Sequence, residues 1–212
     1  MQNSHNGFYK NVTGVILAGG LNHRMGQDKA TLSIAGLTLF ERVERVMRSI
    51  FETVYIAGNR PDLARADLPC FKDEFPSSSL TGLHTALRNA KTEWVCVLPC
   101  DLPFPSVTLV KSLLNARQET NAVVAQHQNW LEPLVACYRR DCLPLIEKLL
   151  EKKQYRLTEF LGELNVCTLG PSDLPHGWRR ALFNVNQPED LAKLMQPPPA
   201  VTFVAHSGTG KT

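Results

Sequence analysis

The chain has 212 residues, 43% of them hydrophobic, and a formal net charge of +3. That length and composition suit one globular domain, or one domain plus a fragment, and exclude a chain too polar to fold. The charge is too small to argue for nucleic acid or an anionic membrane surface as a partner, and no apolar run approaches the roughly 20 residues that span a bilayer.

The first dozen residues, MQNSHNGFYKNV, lack the apolar centre of a signal peptide, so we expect a soluble, cytoplasmic protein. Gly14 to Leu17 is a short, β-branched apolar run and predicts a buried strand. Ala18-Gly19-Gly20 breaks it. Small residues there let a backbone pass close to a ligand with its N–H groups turned toward it. Arg24 and Lys29 follow, and a triphosphate needs such cations. An ordinary strand-to-helix turn with two surface charges is the competing reading.

Leu37 to Glu52 carries apolar residues at helical spacing, and Thr53 to Ala57 predicts a second strand ended by Gly58-Asn59-Arg60-Pro61. Cys70 to Lys72 predicts a brief strand leading to Asp73. After the Pro76-Ser77-Ser78-Ser79 loop comes a helix over Leu80 to Ala90. Trp94 to Leu98 is continuously apolar, as in a strand covered on both faces, and runs into Pro99-Cys100-Asp101-Leu102-Pro103. Ser106 is placed to cap a helix through Arg117. Strands are expected at Ala122 to Gln126, Pro133 to Tyr138, Val166 to Leu169 and Ala181 to Val185. Helices are expected over Asp141 to Lys153, Leu157 to Leu161, and from Pro188 to about Met195.

Strands alternating with helices predict an α/β fold with a mostly parallel sheet between helical layers. Ligands in such sheets sit beyond the carboxyl ends of the strands, where the Leu17 loop and the turns at Asp73 and Asp101 would meet. Asp101 is placed to hold Mg²⁺ against phosphate oxygens, or simply to cap a turn. Asp73 could accept hydrogen bonds from a base or ribose, or be a loop aspartate. Asn186 could cap the following helix, and His84 and Trp178 suit packing or surface roles. The six cysteines show no CxxC pair and are expected to be reduced.

Leu17-Ala18-Gly19-Gly20, Arg24-Met25-Gly26 and Asp28-Lys29 together match LAGGxxxRMGxDK. This resembles the signature of the molybdenum cofactor guanylyltransferases, the molybdopterin-guanine dinucleotide biosynthesis protein A family. Pro99 to Pro103 is similar to that family's metal-binding turn, and Asn184-Val185-Asn186-Gln187-Pro188-Glu189-Asp190-Leu191 to its NVNTPEDL segment. The resemblance implies a Rossmann-like three-layer nucleotidyltransferase fold over residues 1–196. It implies transfer of GMP from GTP to molybdenum-molybdopterin, with pyrophosphate released. GTP contacts would fall on Leu17, Ala18, Gly19, Gly20, Lys29, Asp73 and Asp101, Mg²⁺ on Asp101, and the leaving pyrophosphate on Arg24 and Lys29. Gly19 and the NVN segment lean the resemblance toward guanine. Ser78-Ser79-Leu80-Thr81-Gly82 stands where the family has GPLAG.

Residues 197–212 are expected to be a proline spacer and a truncated P-loop, Ala205 to Thr212. This tail resembles the opening of the GTP-binding B protein of the same pathway, a possible partner together with molybdoenzymes or their chaperones. Arg139, Arg140, Lys152, Lys153 and Arg156 are candidates for holding the pterin, or an exposed basic face. A nucleotidyltransferase for another nucleotide or a sugar phosphate, or a non-catalytic GTP-binding adaptor, are the alternative readings.

Overall fold

The computed structural model describes residues 9–19, 28–127, 130–185 and 190 of the chain. Val12–Leu17 forms β1, buried at every position. A short hairpin, β2 (Ser33–Ile34) and β3 (Leu37–Thr38), precedes α1 (Leu39–Ile50). β4 (Val54–Ala57), β5 (Cys70–Phe71), α2 (Ser79–Asn89) and β6 (Trp94–Pro99) follow. Next come α3 (Val107–Asn115), β7 (Ala122–His127) and β8 (Trp130–Arg139). The last described elements are α4 (Leu143–Glu151), α5 (Leu157–Gly162), β9 (Val166–Leu169) and α6 (Trp178–Ala181).

Seven strands form one sheet in the order β5-β4-β1-β6-β8-β7-β9. Only β8 opposes its neighbours: β6 and β7 each pair with it antiparallel, and the other pairs are parallel. The mostly parallel α/β sheet expected from the sequence is therefore the observed one. Side chains alternate across it and build two cores. Ile16, Cys96 and Val123 face Met47 of α1, Leu113 of α3 and Trp178 of α6. Val15, Val97 and Val124 face Leu83 of α2, Ile146 of α4 and Phe160 of α5. Among the described residues no helix is long and apolar enough to cross a membrane.

Helix starts follow local chemistry. Thr38 and Glu41 close a capping box on α1: the Thr38 hydroxyl accepts from the Glu41 N–H at 3.1 Å, and the Thr38 N–H donates to Glu41 Oε2 at 2.8 Å. Ser78 caps α2 and Ser106 caps α3.

The helix expected from Leu37 begins two residues later. Leu37–Thr38 is taken by the hairpin, whose Ala35-Gly36 turn has φ of 49° and 79°. The strand expected over Ala181 to Val185 does not form. Ala181 ends α6, and the Leu182 N–H donates to the Trp178 carbonyl in a helical turn. Five residues, Ala-Leu-Phe-Asn-Val, are too few to distinguish strand from helix, and β6, the strand this segment approaches, is already paired on both edges. The helix expected from Pro188 to Met195 lies outside the described residues except for Asp190, which is helical. The tail 197–212 lies outside them entirely.

Candidate active site

The chain leaves β1 to one side through β4 and returns on the other through β6. That reversal opens a crevice at the carboxyl ends of β1 and β6. A cavity of about 390 Å³ occupies it. Leu17, Ala18, Gly19, Lys29 and Asp101 all line it, together with Asp28, Arg60, Ser77, Ser78 and Ser79, Leu134 and Asn184. Five of the residues singled out in the sequence are thus brought together. Gly20, Arg24 and Asn186 lie outside the described residues.

The glycine loop is held from below. The Ala18 N–H donates to the Ala57 carbonyl at 2.9 Å, and the Cys100 N–H to the Leu17 carbonyl at 3.0 Å. Gly58 makes this packing possible. Its φ is 137°, and a Cβ there would sit 2.7 Å from the Ala18 carbonyl and the Gly19 nitrogen. Gly19 differs. Its φ is not in the positive region, and a Cβ would meet only Asp73 Oδ2, at 3.6 Å. Among the described residues nothing requires a glycine at 19, and Gly19 itself lines the cavity.

Asp73 flanks Gly19 without lining the cavity. The Thr85 hydroxyl donates to its Oδ1 at 2.7 Å, and its N–H donates to Asn59 Oδ1 at 3.3 Å. Burial pushes the Asp73 carboxyl above its ordinary value, opposed by the Thr85 hydrogen bond.

Lys29 and Asp101 form the charged centre. Lys29 Nζ lies 3.6 Å from Asp101 Oδ2, with side-chain exposures of 10% and 19%. Burial raises the Asp101 pKa from its ordinary 3.8, and the Lys29 ammonium opposes the rise without cancelling it. Asp101 Oδ1 is buried and, among the described residues, has no hydrogen-bond partner. A buried carboxylate oxygen left open in this way calls for a cation or donor from the ligand. Beside it, burial pushes the Cys100 thiol up to about 12, which keeps it uncharged. All six cysteines are free, as expected.

The sequence reading missed the clamp that positions Lys29. Arg60 grips Asp28 with both terminal nitrogens, Nη1 to Oδ1 at 3.0 Å and Nη2 to Oδ2 at 2.6 Å. Its Nε reaches Asp62 Oδ1 at 2.9 Å. Asp28 Oδ1 also accepts from the Ala30 N–H at 3.1 Å, which caps the 3-10 turn Lys29–Thr31. Two segments distant in sequence are thereby locked together at the cavity wall. The only sequence signal was an Asn59-Arg60 pair after a strand.

The Ser78-Ser79 departure has a structural use. Ser78 Oγ accepts from the Thr81 N–H at 3.0 Å and caps α2, whose N-terminus opens on the cavity. The basic candidates do not reach it. Arg139 pairs in register with Trp94, at the start of β6, and is bridged to Glu93 and Asp141. Arg140 follows it at that same far edge, and none of Lys152, Lys153 and Arg156 lines the cavity. His84 is buried against Phe75, with Glu147 3.6 Å away, and Trp178 is buried, both in packing roles.

Among the described residues, no three His, Cys, Asp or Glu side chains form a metal cage. The single open carboxylate fits instead the manner in which Mg²⁺ is held by one or two carboxylates plus substrate phosphates. A larger cavity of about 630 Å³ lies at the opposite edge, lined by Thr13, Phe51, Tyr55 and Lys91 among others. None of the buried, unpartnered polar atoms belongs to its lining, so it lacks the unmet demand for a ligand seen at Asp101.

A family model described as the MobA-like NTP transferase domain matches residues 14–166. A protein of Carboxydothermus hydrogenoformans named "probable molybdenum cofactor guanylyltransferase" is 32% identical over 190 residues, covering 88% of this chain and 96% of that one. The molybdenum cofactor guanylyltransferase of Aliivibrio salmonicida is 32% identical over 187 residues, covering 86% and 94%. The crystal structure of molybdopterin-guanine dinucleotide biosynthesis protein A from Archaeoglobus fulgidus shares the fold, with a TM-score of 0.74 at 23% identity over 85% of this chain and 95% of that one. The chain belongs to the MobA-like nucleotidyltransferases, among the molybdenum cofactor guanylyltransferases.

Proposed function

We propose that the chain transfers GMP from GTP to molybdenum-molybdopterin, giving the guanine dinucleotide cofactor and pyrophosphate. The observation that carries this reading is the Lys29–Asp101 pair, with one carboxylate oxygen open, beside the glycine loop at the crevice. A terminal phosphate oxygen of the pterin forms a bond to the α-phosphorus of GTP. The bond from that phosphorus to the β-phosphate oxygen breaks, and pyrophosphate leaves. Lys29 and Arg24 stabilise the charge on the leaving group. The N–H groups at Gly19 and Gly20 hold the triphosphate, and Asp73 accepts from the base or the ribose. Asp101 is the residue that would hold Mg²⁺, whose bound charge neutralises phosphate oxygens. Positioning and electrostatics dominate such chemistry, so no covalent nucleophile is required of the protein.

The test supplies each of the four nucleoside triphosphates with Mg²⁺ and molybdenum-molybdopterin, and measures pyrophosphate and dinucleotide. Product with GTP alone is expected. Equal turnover with another nucleotide, or turnover only with a sugar phosphate, would move the assignment within the superfamily. Tight GTP binding with no pyrophosphate released at saturating acceptor would make the chain an adaptor.

A further inference from the structure

Lys29 and Arg60 stand on the glycine-loop side of the crevice; past Asp101, toward β8, β7 and β9, lies a cation that no role above uses. β9 runs parallel to β7, so Leu169 ends at the same sheet edge as Pro99 of β6. From there, residues 170–185 return along that edge. The Trp178 ring meets the His127 ring at the end of β7, 5.1 Å between centroids. Asn184 lines the cavity, and the Val185 N–H donates to the Asp101 carbonyl at 3.3 Å. This segment therefore walls Asp101 on the side away from β4 and β5.

Arg180 lies on it. Its guanidinium sits 3.7 Å from the centroid of the Phe104 ring, just past the Asp101 turn. Arg180 is exposed and stands outside the cavity lining, on the segment that reaches it at Asn184, and among the described residues it has no carboxylate partner. An aromatic floor holds a guanidinium plane by cation–π attraction and leaves its N–H edge free. That edge matches a phosphate bidentately. Arg179 differs: it stacks on Trp178 and lines a separate cavity with Pro171, Leu174 and His176. Farther along the segment, where it reaches the cavity, Asn184 has a buried Oδ1 with no partner among the described residues.

We propose that Arg180, floored by Phe104, receives the phosphate monoester end of the acceptor. This rests on the nucleotidyl-transfer reading above. A dianionic phosphate approaching a bound triphosphate meets like charge, and a fixed cation on the far side of Asp101 offsets that repulsion. Arg180 holds non-attacking oxygens of the acceptor phosphate and exchanges no proton. The attacking oxygen bonds to the α-phosphorus as pyrophosphate departs.

The test compares wild type, Arg180→Ala, Arg180→Lys, Phe104→Leu and Arg179→Ala at fixed GTP and Mg²⁺. Arg180→Ala should raise the KM for molybdenum-molybdopterin by roughly ten- to hundredfold, the range for one lost hydrogen bond to a charged group. Its GTP KM and thermal midpoint should stay at the wild-type values. Arg180→Lys and Phe104→Leu should fall between, and Arg179→Ala should match wild type. An unchanged acceptor KM in Arg180→Ala, or an equal rise in the GTP KM, overturns the proposal. Direct acceptor binding, followed by pterin fluorescence, separates it from the reaction reading. If wild type binds the acceptor without turnover, the reaction reading fails, and loss of binding in Arg180→Ala still supports this site. If wild type binds no acceptor, both fail.

Discussion

At the scale of single residues, Asp101 holds the clearest conflict between stability and function. Its carboxylate is buried, and the attraction of Lys29 only partly compensates. A carboxyl whose folded pKa lies above its unfolded value binds its proton more tightly when folded. Its contribution to stability is therefore present below the unfolded pKa and lost as pH rises through the raised one. At neutral pH the ionised Asp101 strains the fold, and a neutral isostere removes that strain. Asp101→Asn should thus keep or raise the thermal midpoint, while activity falls on the order of a hundred- to a thousandfold, as for other lost transition-state charge contacts. Calorimetric melting and a pyrophosphate assay check the two halves, and a normal rate would remove Asp101 from the reaction. The same sign places the acid limb of the wild-type kcat/KM profile above the ordinary 3.8 of an aspartate. Lys29→Met removes the cation that opposes the rise, so the limb of its residual activity should move to still higher pH. A limb that stays put would break the coupling between the two residues.

At the scale of elements, the turn after β4 does more than reverse the chain. Gly58 seats the glycine loop from one side, and Arg60 locks the Lys29 turn through Asp28 from the other. This gives the two loop glycines opposite predictions. Gly58→Ala drives a Cβ into the Ala18 carbonyl at a φ that L residues rarely adopt. It should cost roughly 2 kcal/mol or more, and nucleotide affinity along with it. Gly19→Ala meets only ordinary contact, so its stability should stay within about 0.5 kcal/mol of wild type while GTP affinity drops. Denaturant melts with GTP titration distinguish them, and a Gly19→Ala that binds GTP normally would mean the loop backbone never meets phosphate. The contrast also shows where sequence reading reaches. β1 and β6 were legible as short apolar runs ended by turn residues, and α1 because an amphipathic helix writes its period into twelve residues. The two-residue strands β2 and β3 are too short to carry a period, and the five residues Ala181 to Val185 fit either element. Asp101 was legible singly as a carboxylate just after a strand, and Lys29 as a cation following the glycine loop. Their ion pair, and the Arg60–Asp28 clamp, join segments that only the completed sheet brings together. Nothing local in the chain encodes them.

At the scale of the whole molecule, β6 divides the sheet into two halves, and the proposed reaction puts one substrate on each. Strands β1, β4 and β5 carry the glycine loop, the Arg60 clamp and Asp73, while β8, β7 and β9 carry Leu134 and feed the segment ending at Asn184. Asp101 stands at the boundary. Such a division means that each substrate should quiet its own half of the edge. Hydrogen exchange reports this, because loop and edge amides open locally at low cost and a ligand that orders them slows the opening. GTP with Mg²⁺ should slow exchange in peptides covering residues 9–19 and 73–82, and leave peptides covering 170–185 unchanged except near Asn184. The molybdenum-pterin acceptor alone should do the reverse. Protection of both halves by GTP alone would mean that one ligand spans the crevice, and that the edge is a single site rather than two joined at Asp101. Protection by neither would place the nucleotide away from the cavity between β1 and β6. The order of the strands, more than any one residue, shapes this expectation: β4 and β5 are added on one side of β1 and β6 on the other, and the glycine loop and the Asp101 turn stand where the two directions part.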